Sequence, residues 1–133
     1  MARNQYLLSL KDFNQTQNIE RLIDAGVSSF KIEGRLKDAN YVANVTAHYR
    51  QVIDNVLQRR TDLKRASRGV TICGFTPDVS RSFNRGFTTY FFNGRQDKIH
   101  NPISPKSMGQ PLGLAIHCTK NSFSINSNIK ISN

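Results

Sequence analysis

The apolar residues among the first sixty positions follow two patterns. Some occur in short continuous runs, and others recur every three or four residues. Runs at residues 6–10 and 29–33 predict strands, which are short and often alternate in polarity. The longer steps predict one helix between Asn14 and Gly26 and another after Asp38. Asn14 and Asp38 are residue types that cap helices, and glycine suits the left-handed turn that ends one. The pattern therefore predicts a β-α-β-α unit.

The second helix is predicted to be the longest element of the chain. Its apolar stripe consists of Val42, Val45, Tyr49, Val52, Ile53 and Val56. Arg59 and Arg60 follow this stripe, and cations stabilise a helix C-terminus. We therefore expect the helix to end near these two arginines.

The pattern changes after residue 61. Residues 62–108 mix aromatic residues with Gly, Pro, Ser and Asn without a clear period and are predicted to be a basic connecting segment. From Gly109 onward, apolar residues alternate with polar ones, as in strands. The alternating positions are Leu112, Leu114, Ile116, Phe123, Ile125, Ile129 and Ile131.

The predicted fold class is α+β, in three parts. Residues 1–61 are expected to be β-α units from the tail of a barrel-like region, and residues 109–133 the start of an antiparallel β domain. Two β-α units cannot close a barrel, which typically needs about 200 residues or more. We therefore expect the chain to be part of a longer protein and to pack against the remainder of it.

Polar side chains interrupt the second predicted strand. Because side chains alternate along a strand, Lys31 and Glu33 are expected on the opposite face from Phe30 and Ile32. Sites in α/β enzymes lie where strands end, so this position favours function. An acid between two bases could hold an anionic substrate or cofactor, or could position a general acid or base. The candidate polar pocket consists of Lys11, Asp12, Lys31, Glu33 and Arg35.

Structural roles remain as alternatives for this candidate pocket. Lys31, Glu33 and Arg35 could form an ion pair inside a barrel. Lys11 and Asp12 could lie in a turn, with the aspartate capping the following helix.

The chain is strongly basic, with a formal net charge of +10 and a pI near 10.1. Such an excess favours an anionic partner, nucleic acid first, although other parts of a longer chain could balance the charge. Residues 81–92 interleave arginines with aromatic residues. They could stack bases and neutralise phosphates, or anchor a loop to the rest of the protein. The candidate RNA or substrate contacts are Arg50, Arg81, Arg85 and Phe87.

Several classes of function find no support in the sequence. No apolar stretch reaches the roughly 18 residues that a membrane span needs, and the N-terminus lacks an apolar signal region, so we expect a cytoplasmic location without membrane binding. Cys73 and Cys118 lack metal-site spacing and the three histidines are scattered, so no metal or cofactor is expected in this chain. No serine, cysteine or threonine has a base at catalytic spacing along the sequence.

Four segments of the chain resemble the collagenase-like peptidase family, peptidase family U-32. They are residues 6–12, 22–27, 30–35 and 83–89. These segments occur in the order that the family shows, with spacings natural for it. The long helix adds the pairs Tyr41-Val42, Tyr49-Arg50 and Ile53-Asp54. Residues 104–106, with Gly109 and Gly113, resemble the entry to the family's C-terminal β domain.

The resemblance implies a barrel-like catalytic region upstream and a β domain downstream. It implies a peptidase of unknown catalytic type, with collagen degradation as the named example. Other members resemble RNA-modifying proteins that hydroxylate pyrimidines in transfer or ribosomal RNA, and some carry an iron–sulfur cluster on cysteines. The glycine- and cysteine-rich signature of the family is absent from this sequence, so the cluster is an expectation for the whole parent protein alone.

Three hypotheses for function follow from the resemblance and the charge. The first is a fragment of a collagenase-like peptidase that acts on protein or peptide and is inactive alone. The second is part of an RNA-modifying protein that binds RNA through its basic surface. The third is a module that binds only protein.

We predict that the purified 133-residue chain does not cleave gelatin. The sequence places no nucleophile beside a base. The resemblance also implies that the catalytic region lies upstream of these residues. The measurement is gelatin zymography with the purified chain, with a known gelatinase as positive control. Cleavage that resists further purification and responds to protease inhibitors would contradict the prediction.

Overall fold

The computed structural model describes residues 4–129. In chain order its elements are β1 (Asp12–Phe13), a 3₁₀ turn (Thr16–Asn18), α1 (Ile19–Asp24), α2 (Ala39–Arg59), a second 3₁₀ turn (Val79–Arg81), β2 (Phe87–Thr88), β3 (Leu114–Cys118) and β4 (Phe123–Asn126). This mixture confirms the α+β class. The strands of the described residues form two small sheets, β1 parallel to β2 and β3 antiparallel to β4, and do not form a barrel.

The long helix α2 is confirmed, together with its predicted cap. The Asp38 side chain accepts a hydrogen bond from the backbone N–H of Tyr41 at 2.7 Å, which satisfies one of the free donors of the first turn. Val45 and Val56 are buried, as the apolar stripe predicts. Val42 departs from the prediction, because it remains 41% exposed although the loop at Gly34 passes close to it.

Helix α1 is shorter than predicted and begins differently. Ile19 is 2% exposed and anchors the helix, and Gly26 ends it with a positive φ of 92°. Asn14 does not cap α1, contrary to the prediction. Its side-chain oxygen accepts from the backbone N–H of Thr16 at 2.9 Å and thereby starts the 3₁₀ turn that precedes the helix.

The strand predicted at residues 6–10 is wrong in position. Leu10 alone forms an isolated bridge, to His100, and the regular strand lies two residues farther on. The N–H of Asp12 donates to the Gly86 carbonyl, and on the other edge the N–H of Lys11 donates to the Ile99 carbonyl. Residues 9–14 therefore lie between two backbone neighbours from far along the chain, which the local apolar pattern does not encode.

The strand predicted at residues 29–33 is also wrong, because these residues have no strand partner within residues 4–129. A strand exists only through pairing of its backbone with another segment. The alternation of side chains is nevertheless present. Phe30 and Ile32 are half-buried, and Lys31 and Glu33 are exposed.

The β pattern after Gly109 is confirmed as a hairpin of β3 and β4. Leu114 lies opposite Asn126 and Cys118 opposite Phe123, with an irregularity in register between Ala115 and His117. Thr119 and Ser122 close the turn between the two strands through backbone and hydroxyl hydrogen bonds. The predicted alternating positions Leu112 and Ile129 lie outside both strands. The predicted alternating position Ile131 lies outside the described residues.

Polar side chains outnumber apolar ones in the buried interior. Within residues 4–129, five apolar residues are buried, with Pro77 among them, against six polar ones: Ser9, Gln15, Asn18, Asn84, Thr88 and Asn101. Buried polar groups cost free energy unless they are hydrogen-bonded, so each of them must have a partner. The loops of this chain are therefore joined largely by side-chain hydrogen bonds.

Asn44 on α2 joins the helix to the loop at Asp78. Its amide nitrogen donates to the Asp78 carbonyl at 2.7 Å and to the Ser82 hydroxyl at 2.6 Å. Its amide oxygen accepts from the Asp78 backbone N–H at 2.9 Å. One side chain thus satisfies both backbone groups of Asp78 and holds the start of residues 78–88 against α2.

We expect Asn44→Ala to lower the free energy of unfolding by about 2 kcal/mol, because a net hydrogen bond contributes about 1 kcal/mol and the Asp78 N–H loses its partner. The Asp78 carbonyl keeps one donor, the Arg81 N–H at 3.1 Å. Urea denaturation followed by circular dichroism measures this change. The matched control is Asn55→Ala, an exposed position of the same helix, which should leave stability nearly unchanged. Equal losses in the two variants would contradict the role of Asn44.

His48 joins α2 to the first 3₁₀ turn. Its Nε2 lies 2.9 Å from the Thr16 hydroxyl. Burial lowers the pKa of His48 below its ordinary value of 6.5, and attraction from Asp78 offsets part of that decrease. The unfolded chain therefore takes up the proton at higher pH than the folded chain, and stability falls as pH decreases through 6.5 toward the folded pKa.

We expect the free energy of unfolding to fall between about pH 7.5 and about pH 5.5, and to fall less in His48→Gln, which does not titrate. The measurement is urea denaturation at both pH values. Hydrogen bonds from Ser80 hold the pKa of Asp78 below 3.8, so the loss of its contribution begins at more acidic pH. The same pH dependence in the variant and the wild type would assign the effect to another group.

Candidate functional site

The two candidate clusters from the sequence meet at β1. Asp12 belongs to the candidate pocket and Arg85 to the candidate contacts, and they form an ion pair. The Asp12 carboxylate accepts from the Arg85 backbone N–H at 2.8 Å and lies 3.5 Å from the guanidinium Nε. Both side chains are largely covered, at 21% and 30% exposure. The parallel pairing of β1 with β2 produces this contact, because it places Asp12 opposite Phe87, two residues beyond Arg85.

Asp12 lines a cleft of about 420 Å³ between β1, residues 29–33 and α2, here called the α2 cleft. Lys31 and Glu33 also line it and are paired at 3.6 Å, with side chains 88% and 69% exposed, so this pair lies at the mouth. Arg35 is exposed and does not line the cleft, but its backbone N–H donates to the Glu33 carboxylate at 3.1 Å. The structure thus gathers three of the five predicted pocket residues at the α2 cleft.

Two tyrosines of α2 also line the α2 cleft. Burial raises the pKa of Tyr41 above 10.0, and the charge of Asp12 raises it further. Its phenol therefore keeps its proton at neutral pH and can donate it in a hydrogen bond. The Tyr49 hydroxyl accepts from the Gln15 backbone N–H at 3.1 Å and lies 3.3 Å from the Asn14 side-chain oxygen, so Tyr49 fixes the fold around the cleft. Tyr41 was not among the site residues predicted from the sequence. Its spacing of eight residues from Tyr49, which places both on one helix face, was the pattern that could have identified it.

Lys11 lines a different cleft from its neighbour Asp12. This second cleft has a volume of about 560 Å³ and is here called the basic cleft. Its cationic or titratable lining residues are Lys11, Arg85, Lys98 and His100. Among the described residues that line it there is no aspartate or glutamate. Lys98 and His100 were not singled out from the sequence, because no local pattern connects them to Lys11.

The other candidate contacts lie apart from one another. Arg50 makes a bidentate ion pair with Asp54 one helical turn away, at 3.0 and 2.5 Å. Arg81 is 63% exposed, 3.5 Å from Asp78 and 3.2 Å from the Gln110 side chain. Phe87 is 38% exposed on β2.

Phe83 carries a cation on its ring. The ammonium of Lys37 lies 3.2 Å from the ring centroid, and the Arg85 guanidinium lies 5.8 Å from it. Three other aromatic side chains form a row, here called the aromatic row, of Phe13, Tyr90 and Phe91. Neighbouring ring centroids in this row are 5.4 and 6.4 Å apart, and its two ends are 60% and 55% exposed.

The chemistry of the described residues is limited in three respects. No group of three or more His, Cys, Asp or Glu side chains within residues 4–129 could hold a metal ion. No helix in that range is long and apolar enough to cross a membrane. The Thr16–His48 contact pairs a hydroxyl with an imidazole 32 residues away, but the described residues provide no hydrogen-bond partner that would orient His48 as in a triad.

Comparisons with known proteins connect this geometry to a family. A 23S rRNA 5-hydroxycytidine synthase of Escherichia coli is 47% identical over 125 residues, which are 94% of this chain and 19% of that protein. The tRNA hydroxylation protein P1 of Bacillus subtilis is 45% identical over 115 residues, 84% of this chain and 26% of that protein. A collagenase of Porphyromonas gingivalis is 32% identical over 93 residues, 70% of this chain and 24% of that protein.

The chain thus spans about a fifth to a quarter of the length of these relatives. No solved structure matches it. A family model described as Peptidase family U32 matches residues 1–102, which is more than half of the chain. The resemblance seen in the sequence is therefore confirmed, and this chain belongs to peptidase family U32.

Proposed function

We propose that this chain is part of an RNA-hydroxylating protein of the U32 family and that it supplies part of the surface that contacts RNA. The relatives at 47% and 45% identity are named for rRNA and tRNA hydroxylation, whereas the collagenase is 32% identical. These names favour the RNA hypothesis over the peptidase hypothesis, which was the first reading of the sequence. Because the chain covers a minor share of each relative, activity and substrate belong to the whole protein.

The observation that carries the proposal is the distribution of charge. All nine acids lie within residues 4–129, and seven of them are in ion pairs. Of the 17 lysines and arginines in that range, six are in ion pairs and eleven are not. The eleven are Lys11, Arg21, Arg35, Lys37, Lys64, Arg65, Arg68, Arg95, Lys98, Lys106 and Lys120.

This excess of cations cannot be neutralised by the acids of the described residues. A polyanion such as RNA would neutralise it and release counterions, which drives association. Phe13 and Phe91, the open ends of the aromatic row, offer ring surface on which unpaired bases could stack. The aromatic residues and the free cations together fit single-stranded RNA better than a peptide.

Within this proposal, the predicted site residues differ in where they lie and in how free they are to contact a substrate. Asp12, Lys31 and Glu33 remain candidate substrate contacts in the α2 cleft, where the Tyr41 phenol adds a donor. Arg81, Arg85 and Phe87 remain candidate RNA contacts. Arg50 is less free to contact RNA, because its Nε and one terminal nitrogen already donate to the Asp54 carboxylate.

The barrel-like region is likewise part of the proposal. Large apolar side chains of residues 1–61 contact water, with Leu8 94% and Leu36 96% exposed. Burying such surface against more protein would be favourable by roughly 25 cal/mol per Å². This supports the packing of residues 1–61 as β-α units against the remainder of the parent protein.

The proposed function is tested by deleting the gene and measuring hydroxylated pyrimidine nucleosides in rRNA and tRNA by mass spectrometry. We expect at least one hydroxypyrimidine to disappear, because its synthesis would depend on this protein, and to return when the gene is restored. A strain that lacks an unrelated gene serves as control. An unchanged set of hydroxypyrimidines, together with lost gelatin cleavage in the same strain, would support the peptidase hypothesis instead.

A further inference from the structure

The basic cleft lies where three segments of the chain converge. Residues 9–14 run between residues 86–88 on one edge and residues 99–101 on the other. The N–H of Lys11 donates to the Ile99 carbonyl at 2.9 Å, and the N–H of Asn101 donates to the Ser9 carbonyl at 2.7 Å. This pairing brings Lys11 beside Lys98 and His100, which are about ninety residues away in sequence.

The walls of the basic cleft carry cations, and no aspartate or glutamate is among the described residues that line them. Lys11 and Lys98 have no ion-pair partner among residues 4–129. Arg85 pairs with Asp12, which lines the α2 cleft and not this one. An anion in this cleft would be attracted by both free ammonium groups.

Two buried amides hold the floor of the basic cleft in place. Asn101 is 6% exposed; its nitrogen donates to the Arg85 carbonyl at 3.1 Å, and its oxygen accepts from the N–H groups of Ile103 and Ser104. Asn84 is 4% exposed and donates to the carbonyls of Ser80 and Ser82, both at 3.0 Å. Because these amides fix the surrounding backbone, ligand binding would lose little conformational entropy in ordering it.

We infer that the basic cleft binds a phosphate group of an RNA strand, through Lys11 and Lys98 with His100 beside them. Lysine binds phosphate as a point charge with three donors, and it needs no exact orientation to do so. A volume of about 560 Å³ accommodates a phosphodiester with its adjoining ribose. This inference rests on the proposed RNA function and adds the location of a backbone contact.

The test uses the double variant Lys11→Met and Lys98→Met, which removes two charges and keeps the apolar stems. The matched control is Lys64→Met with Lys120→Met, two lysines that are also without ion pairs but lie outside the basic cleft. Binding of a fluorescein-labelled single-stranded RNA is measured by anisotropy at several salt concentrations. We expect the cleft variant to lower the slope of log affinity against log salt by about 0.7, because one neutralised phosphate of a single strand contributes about 0.7.

The control variant should lower that slope much less. Equal effects of the two variants, or no effect of either, would overturn the inference while RNA binding by the wild type leaves the proposed function standing. Absence of RNA binding by the wild type would overturn both.

A second measurement needs no variant and decides the question if the cleft variant does not fold. The His100 ring resonances of the wild-type protein are followed by NMR during titration with the same RNA and, separately, with inorganic phosphate. RNA should shift them at lower concentration than phosphate does. A shift with phosphate alone would indicate a site for a free anion and would overturn the assignment to RNA.

Discussion

The structure depends on the requirement that a buried polar group must have a hydrogen-bond partner. Few apolar side chains are buried in the described residues, whereas Gln15, Asn18, Asn84 and Asn101 are buried. Gln15 and Asn101 donate to distant segments, at the Thr89 and Arg85 carbonyls, and Asn18 and Asn84 bond to groups within four residues of themselves. Long segments without regular secondary structure therefore keep defined positions, because moving one of them would leave a buried amide or carbonyl unpaired at a cost of about 1–3 kcal/mol.

The same constraint shapes the charged surface. The Asp12 carboxylate is partly covered, so its charge needs hydrogen-bond or ion-pair partners. The backbone N–H of Arg85 donates to it, and the Arg85 guanidinium pairs with it. Other acids bond to arginines at the ends of α1 and α2, such as Glu20 and Asp24 with Arg60. Because the acids are used in this way, the remaining cations have no internal partner among residues 4–129. The basic cleft contains two of these eleven cations, Lys11 and Lys98.

The two functional hypotheses make different demands on this chain. Peptide hydrolysis by a nucleophile requires a base, an orienting group and donors for an oxyanion. The Thr16–His48 contact provides a hydroxyl beside an imidazole. This hydrogen bond connects the first 3₁₀ turn to α2, so a structural role explains it. Contacts with RNA require cations and open aromatic rings, and the basic cleft and the aromatic row supply both.

The sequence by itself determined the features that depend on neighbours in the chain. Helix α2, its Asp38 cap, the turn at Gly26 and the β3–β4 hairpin all follow from interactions over a few residues. The net charge and the family membership were also readable without coordinates. The alternation of exposure along residues 30–33 followed from period two alone, even though no strand forms there and all four residues line the α2 cleft.

Only the tertiary structure decided which distant segments pair. The location of β1, the Asp12–Arg85 ion pair and the meeting of Lys11 with Lys98 all involve residues more than seventy positions apart. A local pattern states which face of a segment is apolar, but it does not state which segment lies beside it. Backbone pairing and charge compensation over such separations depend on how the whole chain closes on itself, and that closure determined which of the predicted site residues share a cleft.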